Sequence, residues 1–248
     1  MKHIILAAGR GSRMGDKTSG MPKCLLVLGG KTLLQRNIET LEAVGASRAD
    51  IGIVTGYRSD MIAEPGVRYF HNDEWETTNM FVSLTKAREW LINDVCTMIY
   101  ADILYSPKVI DRLEQAAGDI VVPYYTKYME LWTQRLENPL DDLETFKFVD
   151  DRLTEIGKKP KAVEEVQGQY MGIIRLSPTS WKSIEEAVKL PMPKPLSRLD
   201  MTTLLQHLIT LGEEVRVFPN DELWLECDTE QDARVNEKLI EKVKRCCI

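Results

Sequence analysis

Short apolar runs alternate with segments of helical period through the first half of the chain. Lys2–Ala8 reads as a strand, Leu33–Val44 as a helix and Ile51–Thr55 as a second strand. Asn79–Leu91 reads as a helix, Cys96–Ala101 as a strand, Pro107–Ala117 as a helix and Ile120–Pro123 as a strand. Strands that are apolar throughout are buried on both faces. Their alternation with helices predicts βαβ units and a mostly parallel sheet. Pro107 and Pro178 stand where a first helical turn tolerates a missing N–H.

The regularity changes after Pro123. Tyr124–Leu140 reads as aromatic and irregular, and Glu144–Val149 with Arg152–Lys158 as a hairpin turning at Asp150-Asp151. Gln169–Leu176 reads as one strand, Pro178–Val188 as a helix, and Met192–Leu196, with two prolines, as a loop or lid. Met201–Leu211 is a predicted helix, Glu214–Phe218 and Leu223–Cys227 predicted strands, and Thr229–Lys244 a final helix. There is no internal repeat or linker. The expectation is a single Rossmann-like α/β domain, its central sheet mostly parallel with helices on both faces.

Composition narrows this picture. The 248 residues are 44% hydrophobic and 28% charged, ordinary for a globular chain with a real core. A net charge of −6 argues against nonspecific nucleic-acid binding, which relies on a basic surface. Met1-Lys2-His3 leads into only five apolar residues, and no apolar run approaches the ~18–20 a membrane span needs. A cytoplasmic protein with neither nucleic acid nor membrane as partner is expected. Cys24, Cys96 and Cys227 lie inside apolar runs and read as buried thiols, whereas Cys246-Cys247 reads as a frayed terminus.

Candidate chemistry begins at Leu6-Ala7-Ala8-Gly9-Arg10-Gly11-Ser12-Arg13-Met14, directly after the first strand. A glycine-rich turn at a strand's carboxyl end is where open α/β sheets bind ligands, and small residues let backbone N–H groups reach a phosphate. Arg10, Arg13 and Lys23 add positive charge. A dinucleotide fingerprint would need Gly or Ala where Met14 stands. A Walker A loop would need Lys directly after Gly20, where Met21-Pro22-Lys23 follows.

The loop followed by Pro22-Lys23-Cys24-Leu25-Leu26 resembles the signature of the nucleotidyltransferase superfamily that activates sugar and alcohol phosphates. Further stretches resemble its bacterial choline-phosphate cytidylyltransferase-like branch, which includes enzymes of aminoethylphosphonate and phospho-amino-acid derivatives. They are Thr78–Leu84, Tyr100–Ile103, Gly168–Gly172, Asp200–Thr202 and Trp224–Thr229. The resemblance implies a nucleotide-binding part over about residues 1–123 and an acceptor and metal part over about 124–248. It implies that Leu6, Ala8, Gly9, Arg10, Gly11 and Ser12 hold the nucleotide, and that Arg13 and Lys23 act on its phosphates. It also implies that Asp102 and Asp228, each ending an apolar strand, share Mg²⁺. One or two carboxylates plus phosphate oxygens suffice for that ion. Asp228 could equally cap the last helix. Asn79 and Ser83, four apart on one helical face, read either as base or ribose contacts or, for Asn79, as a cap.

The implied reaction transfers CMP from CTP to a small phosphorylated or phosphonylated acceptor, with release of pyrophosphate. A phosphomonoester is already largely dianionic at neutral pH, its second pKa being about 6, so no general base is required. His3, His71 and His207 show no motif and read as structural. Lys158 or Lys159 is the candidate for the acceptor phosphate, with Lys159 preferred. Trp132, Tyr170, Trp224, Asp200 and Glu226, among interleaved aromatic and acidic residues, are as a group candidates for a cationic amine on the acceptor, while any single ring reads rather as core or surface packing. Two rival expectations are a sugar-1-phosphate nucleotidyltransferase using UTP or TTP, and a catalytically silent nucleotide-binding regulator.

Overall fold

The computed structural model describes residues 1–18 and 20–246, the side chains of Asp16, Lys17 and 241–246 apart. In chain order, β1 (Lys2–Ala7) leads through the glycine-rich loop to a small hairpin, β2 (Val27–Leu28) and β3 (Lys31–Thr32), then α1 (Leu33–Ala43). Next come β4 (Ile51–Thr55), β5 (Arg68–His71), α2 (Met80–Thr85), α3 (Arg88–Leu91), β6 (Cys96–Tyr100) and β7 (Ile103–Tyr105). They are followed by α4 (Pro107–Gln115), β8 (Ile120–Tyr125), α5 (Tyr128–Arg135), β9 (Phe146–Val149) and β10 (Arg152–Ile156). The chain continues with β11 (Gln169–Tyr170), β12 (Ile173–Leu176), α6 (Pro178–Ala187), α7 (Met201–Thr210), β13 (Val215–Asn220), β14 (Trp224–Glu226) and α8 (Glu230–Cys246).

The main sheet runs β5-β4-β1-β6-β12-β8-β13-β10-β9, with β11 beside β8. β5, β4, β1 and β6 are parallel neighbours, β8 and β13 are parallel, and β12 is antiparallel to both β6 and β8. The expected mostly parallel sheet covered on both faces is therefore present. Adjacent strand residues serve opposite layers. Ile5 and Ile99 pack with α1, α4 and α5 through Leu34, Ile38, Val109, Leu113 and Leu131. Ile4 and Met98 pack with α2, α6 and α7 through Phe81, Trp181, Ile184 and Leu204. This two-sided burial is why the central strands lack polar alternation. Both prolines open helices, behind the caps Ser106 and Ser177.

Three expectations are corrected. Tyr124–Leu140 is not irregular. Its middle forms α5, burying Tyr128, Leu131, Trp132 and Arg135 on one face. That spacing is helical, and it was obscured because one of the four is a charged arginine. The helix expected over Asn79–Leu91 breaks into α2 and α3 at Ala87 (φ −91°, ψ 20°), where the ladder tightens to i→i+3 bonds. The strand expected over Gln169–Leu176 breaks at Gly172, whose φ of +72° no extended strand adopts. A Cβ there would stand 2.6 Å from the Tyr100 ring. The Cys246-Cys247 expectation lies outside the described side chains. Among the described residues, no helix is long and apolar enough to cross a membrane.

Candidate active site

β4 lies on one side of β1 and β6 on the other, so the chain order reverses at β1. Open α/β sheets bind ligands at the carboxyl ends of strands beside such a reversal. A cleft opens there, lined by Leu6, Ala8, Gly9, Lys23, Trp75, Asn79, Ser83, Tyr100 and Asp102 among others. The structure thus brings the glycine loop together with the Thr78–Leu84 and Tyr100–Ile103 segments.

Gly11 gives the loop its shape. Its φ is +72°, and an added Cβ would stand 2.6 Å from Lys23 Cβ. The Thr18 hydroxyl and the Met14 N–H both donate to its carbonyl, at 2.9 and 3.0 Å, and fully buried Met14 pins the turn to the core. Gly11→Ala is therefore expected to cost about 1–3 kcal/mol from backbone strain and overpacking. It should also raise KM for the nucleotide by displacing Lys23. Urea unfolding and steady-state kinetics check both, and a variant unchanged in both would remove the loop from the site.

Lys23 starts a short turn, Lys23–Leu25, anchored by buried Cys24. Its ammonium, on a side chain 12% exposed, donates to Asp102 Oδ2 and to Asp228 Oδ1, each at 2.5 Å. Arg13 Nη2 lies 3.2 Å from Asp228 Oδ2. Burial pushes the Lys23 ammonium down, but the two carboxylates outweigh it and hold its pKa above the ordinary value. Burial likewise pushes the Asp228 carboxyl up, and Lys23, with Arg13 and Arg135, holds it below the usual carboxylate range.

A two-stranded ladder joins the carboxylates. β7 pairs with β14 so that Ile103 faces Glu226, and the Cys227 N–H donates to the Asp102 carbonyl at 3.0 Å. The two oxygens that share Lys23 are no more than about 5 Å apart, since each lies 2.5 Å from one nitrogen. Among the described residues, no group of three His, Cys, Asp or Glu is placed to hold a metal. Two hard carboxylates beside the glycine loop do fit Mg²⁺, which would take its remaining oxygens from water and phosphates.

Behind Asp228 lies a pair that the sequence reading missed. The Arg135 guanidinium, 3% exposed, reaches Asp232 through Nε (2.6 Å) and Nη2 (3.1 Å), and Glu226 through Nη1 (3.3 Å). Asp232 Oδ2 accepts the N–H groups of Asp228 (3.0 Å) and Thr229 (2.8 Å), while the Thr229 hydroxyl accepts the Asp232 N–H. Thr229 and Asp232 form a capping box, whose three-residue spacing was legible in the sequence. Asp232, not Asp228, therefore satisfies these N–H groups at the start of α8. Burial, and after it the charge of Asp228, pushes the Glu226 carboxyl up to about 8, against Arg135 beside it.

The remaining candidates divide. Asn79 lines the cleft and also caps α2, its Oδ1 accepting the Met80 N–H at 2.8 Å. Ser83 lines the cleft too, and its hydroxyl is fixed by Nδ2 of fully buried Asn72 at 3.0 Å. Arg10 and Ser12 are exposed on the loop, Arg10 lying over the Tyr57 ring, which meets Trp75 edge-on at 5.1 Å. Trp75, at the cleft, had not been singled out.

Tyr170 meets the cleft residue Tyr100 edge-on at 5.9 Å. Asp200 caps α7 through the Thr203 N–H and pairs with Lys194 at 2.6 Å. Trp132 and Trp224 stack at 5.9 Å with 2% and 1% exposure, which is the packing of core rings. The Lys159 ammonium donates to the Asp141 carbonyl at 2.6 Å and that of Lys158 pairs with Glu155, so each holds its own loop. His3 is buried, and His207 contacts the Ala187 carbonyl, as structural residues do.

Comparison with known proteins identifies the family. The family model for the MobA-like NTP transferase domain matches residues 3–171. Over 254 aligned positions, 95% of this chain and 98% of the relative, the chain is 29% identical to the CTP:phosphoglutamine cytidylyltransferase of Campylobacter jejuni. Over 97 positions, 38% of this chain and 42% of the relative, it is 40% identical to the choline-phosphate cytidylyltransferase of Streptococcus pneumoniae. The solved CTP:phosphocholine cytidylyltransferase of Streptococcus pneumoniae shares the fold, with a TM-score of 0.70, 22% identity, and coverage of 96% of this chain and 98% of that one. The chain belongs to the MobA-like NTP transferase family and is a nucleotidyltransferase.

Proposed function

We propose that the protein transfers CMP from CTP to a small acceptor bearing both an amine and a phosphate or phosphonate, releasing pyrophosphate with the help of Mg²⁺. The observation that carries this reading is the meeting of Lys23, Arg13, Asp102 and Asp228 at the mouth of the glycine-loop cleft. A silent regulator would have no use for the paired carboxylates. Relatives named for CTP, with phosphoglutamine and choline phosphate as acceptors, support the choice of base and acceptor class.

The acceptor oxygen, already anionic, attacks the α-phosphorus in line and pyrophosphate departs. The task of the protein is to align two polyanions and offset their charge, which is positioning and electrostatics rather than proton transfer. The loop N–H groups from Gly9 to Arg13 orient the triphosphate, and Lys23 and Arg13 take up charge on the leaving group. Asp102 and Asp228 would hold Mg²⁺, which when bound supplies Lewis-acid neutralisation of the phosphates. For the amine, Asp200 and Tyr170 are joined by Glu144. Burial, and after it the charge of Asp200, pushes the Glu144 carboxyl up. Asp200 already holds the Lys194 ammonium at 2.6 Å, so this acidic pair with the Tyr100 and Tyr170 rings is a setting that accepts a cation.

A pyrophosphate-release assay with Mg²⁺ tests this. CTP, UTP, ATP, GTP and TTP are each paired with phosphocholine, phosphoethanolamine, aminoethylphosphonate, phosphoglutamine and glucose-1-phosphate. Release is expected with CTP and an amine-bearing acceptor. Release confined to UTP or TTP with glucose-1-phosphate would overturn base and acceptor together and leave the reaction class standing.

A further inference from the structure

We infer that Lys23 holds the place of the metal, its ammonium bridging Asp102 and Asp228 until a nucleoside triphosphate draws it away, so that metal and nucleotide enter together. The inference rests on the proposed metal role of the two aspartates and adds a rule for how that site fills.

Three of the four carboxylate oxygens of the site already face a cation. Asp228 Oδ1 is 2.5 Å from Lys23 and Oδ2 is 3.2 Å from Arg13, while Asp102 Oδ2 is 2.5 Å from the same ammonium. Two carboxylates face two side-chain cations, so the local charge is balanced. A dication arriving alone would have to push the Lys23 ammonium off both carboxylates and leave it unpaired. Its side chain is only 12% exposed, so water does little to compensate. A triphosphate arriving alone would meet two carboxylates that lose their lysine to it. When the two arrive together, each ion released by one exchange is taken up by the other, and neither charge is stranded.

The alternative position for the ammonium is already prepared. Lys23 lines the same cleft as Ala8 and Gly9, and its stem is seated on Gly11, where no Cβ could be accommodated. The stem is therefore seated on the glycine loop as far as Cδ, so an exchange of partners needs only rotation about the last bonds of the side chain. Lysine suits this exchange better than arginine, being a compact point charge on a flexible chain.

Binding of Mn²⁺ to the full-length protein without nucleotide, measured by electron paramagnetic resonance, tests the inference independently of turnover. Lys23→Gln is expected to bind Mn²⁺ about tenfold or more tightly than the wild type. Lys23→Arg, which keeps the cation, should stay as closed to metal as the wild type. Adding Asp102→Asn to Lys23→Gln should abolish the gain. Circular dichroism and thermal melts establish that each variant is folded, and Lys23→Met, equally uncharged, takes the place of Lys23→Gln in every comparison should the latter unfold.

Wild-type protein binding Mn²⁺ alone as tightly as Lys23→Gln would overturn the place-holding role while leaving the metal site intact. A gain in Lys23→Gln that survives Asp102→Asn would instead overturn the assignment of the carboxylates to the metal, and the inference with it.

Discussion

Asp102→Asn is expected to cut turnover by about a thousandfold, because on the proposed reading it removes one of two carboxylates that would hold a metal worth several kcal/mol of transition-state stabilisation. The fold should survive. The Asp102 side chain is partly exposed, and Lys23 keeps its second partner, Asp228, at 2.5 Å. The main-chain bond from Cys227 to residue 102 does not involve the carboxylate. Turnover measured across a magnesium titration separates this from a binding defect, since excess metal should restore little of the rate. Near-normal turnover in a folded variant would take Asp102 out of the metal site and return it to the role of a partner for Lys23.

Arg135→Met is expected to lose about 3–5 kcal/mol of stability, the cost of breaking a buried ion pair from one side. The guanidinium is 3% exposed and meets Asp232 through two nitrogens, with Glu226 at 3.3 Å and Asp142 at 3.8 Å. Methionine fills much of the volume and leaves those carboxylates facing one another. Arg135→Lys should fall between, keeping the charge but losing the paired contact to Asp232. Urea unfolding checks the ranking, and a loss below about 1 kcal/mol for Arg135→Met would mean that the cluster behaves as a solvated surface pair. Turnover should drop as well, because Asp232 holds the N–H of Asp228 and moves when its own anchor is removed.

Much of the fold was legible because burial on both sides of a parallel sheet leaves an unmistakable mark. Lys2–Ala7, Ile51–Thr55 and Cys96–Tyr100 are predominantly apolar and almost wholly buried because two helical layers cover them. β7 was missed because three buried residues are too short a run to read as a strand, and two other missed elements have burial that is partial or charged. In β5 only Phe70 is buried, as an edge strand allows, and α5 hides an arginine in its apolar face. A periodicity of hydrophobic residues cannot register a buried ion cluster, since the neutralising partners come from residues 91 and 97 positions away.

The chemistry divides along the same line. By itself the sequence determined the glycine loop, the lysine after Pro22 and the aspartates at the ends of apolar runs. Each is a local requirement, of backbone conformation or of a charge at a strand's end. Only the tertiary structure decided that Asp102 and Asp228, 126 positions apart in the sequence, share one ammonium through the β7–β14 ladder. It also decided that Trp132 and Trp224 belong to the core and that Arg135 and Asp232 stand behind the site. Which charges meet depends on strand pairing between distant segments, and pairing is settled by the packing of the whole sheet rather than by any stretch of the chain.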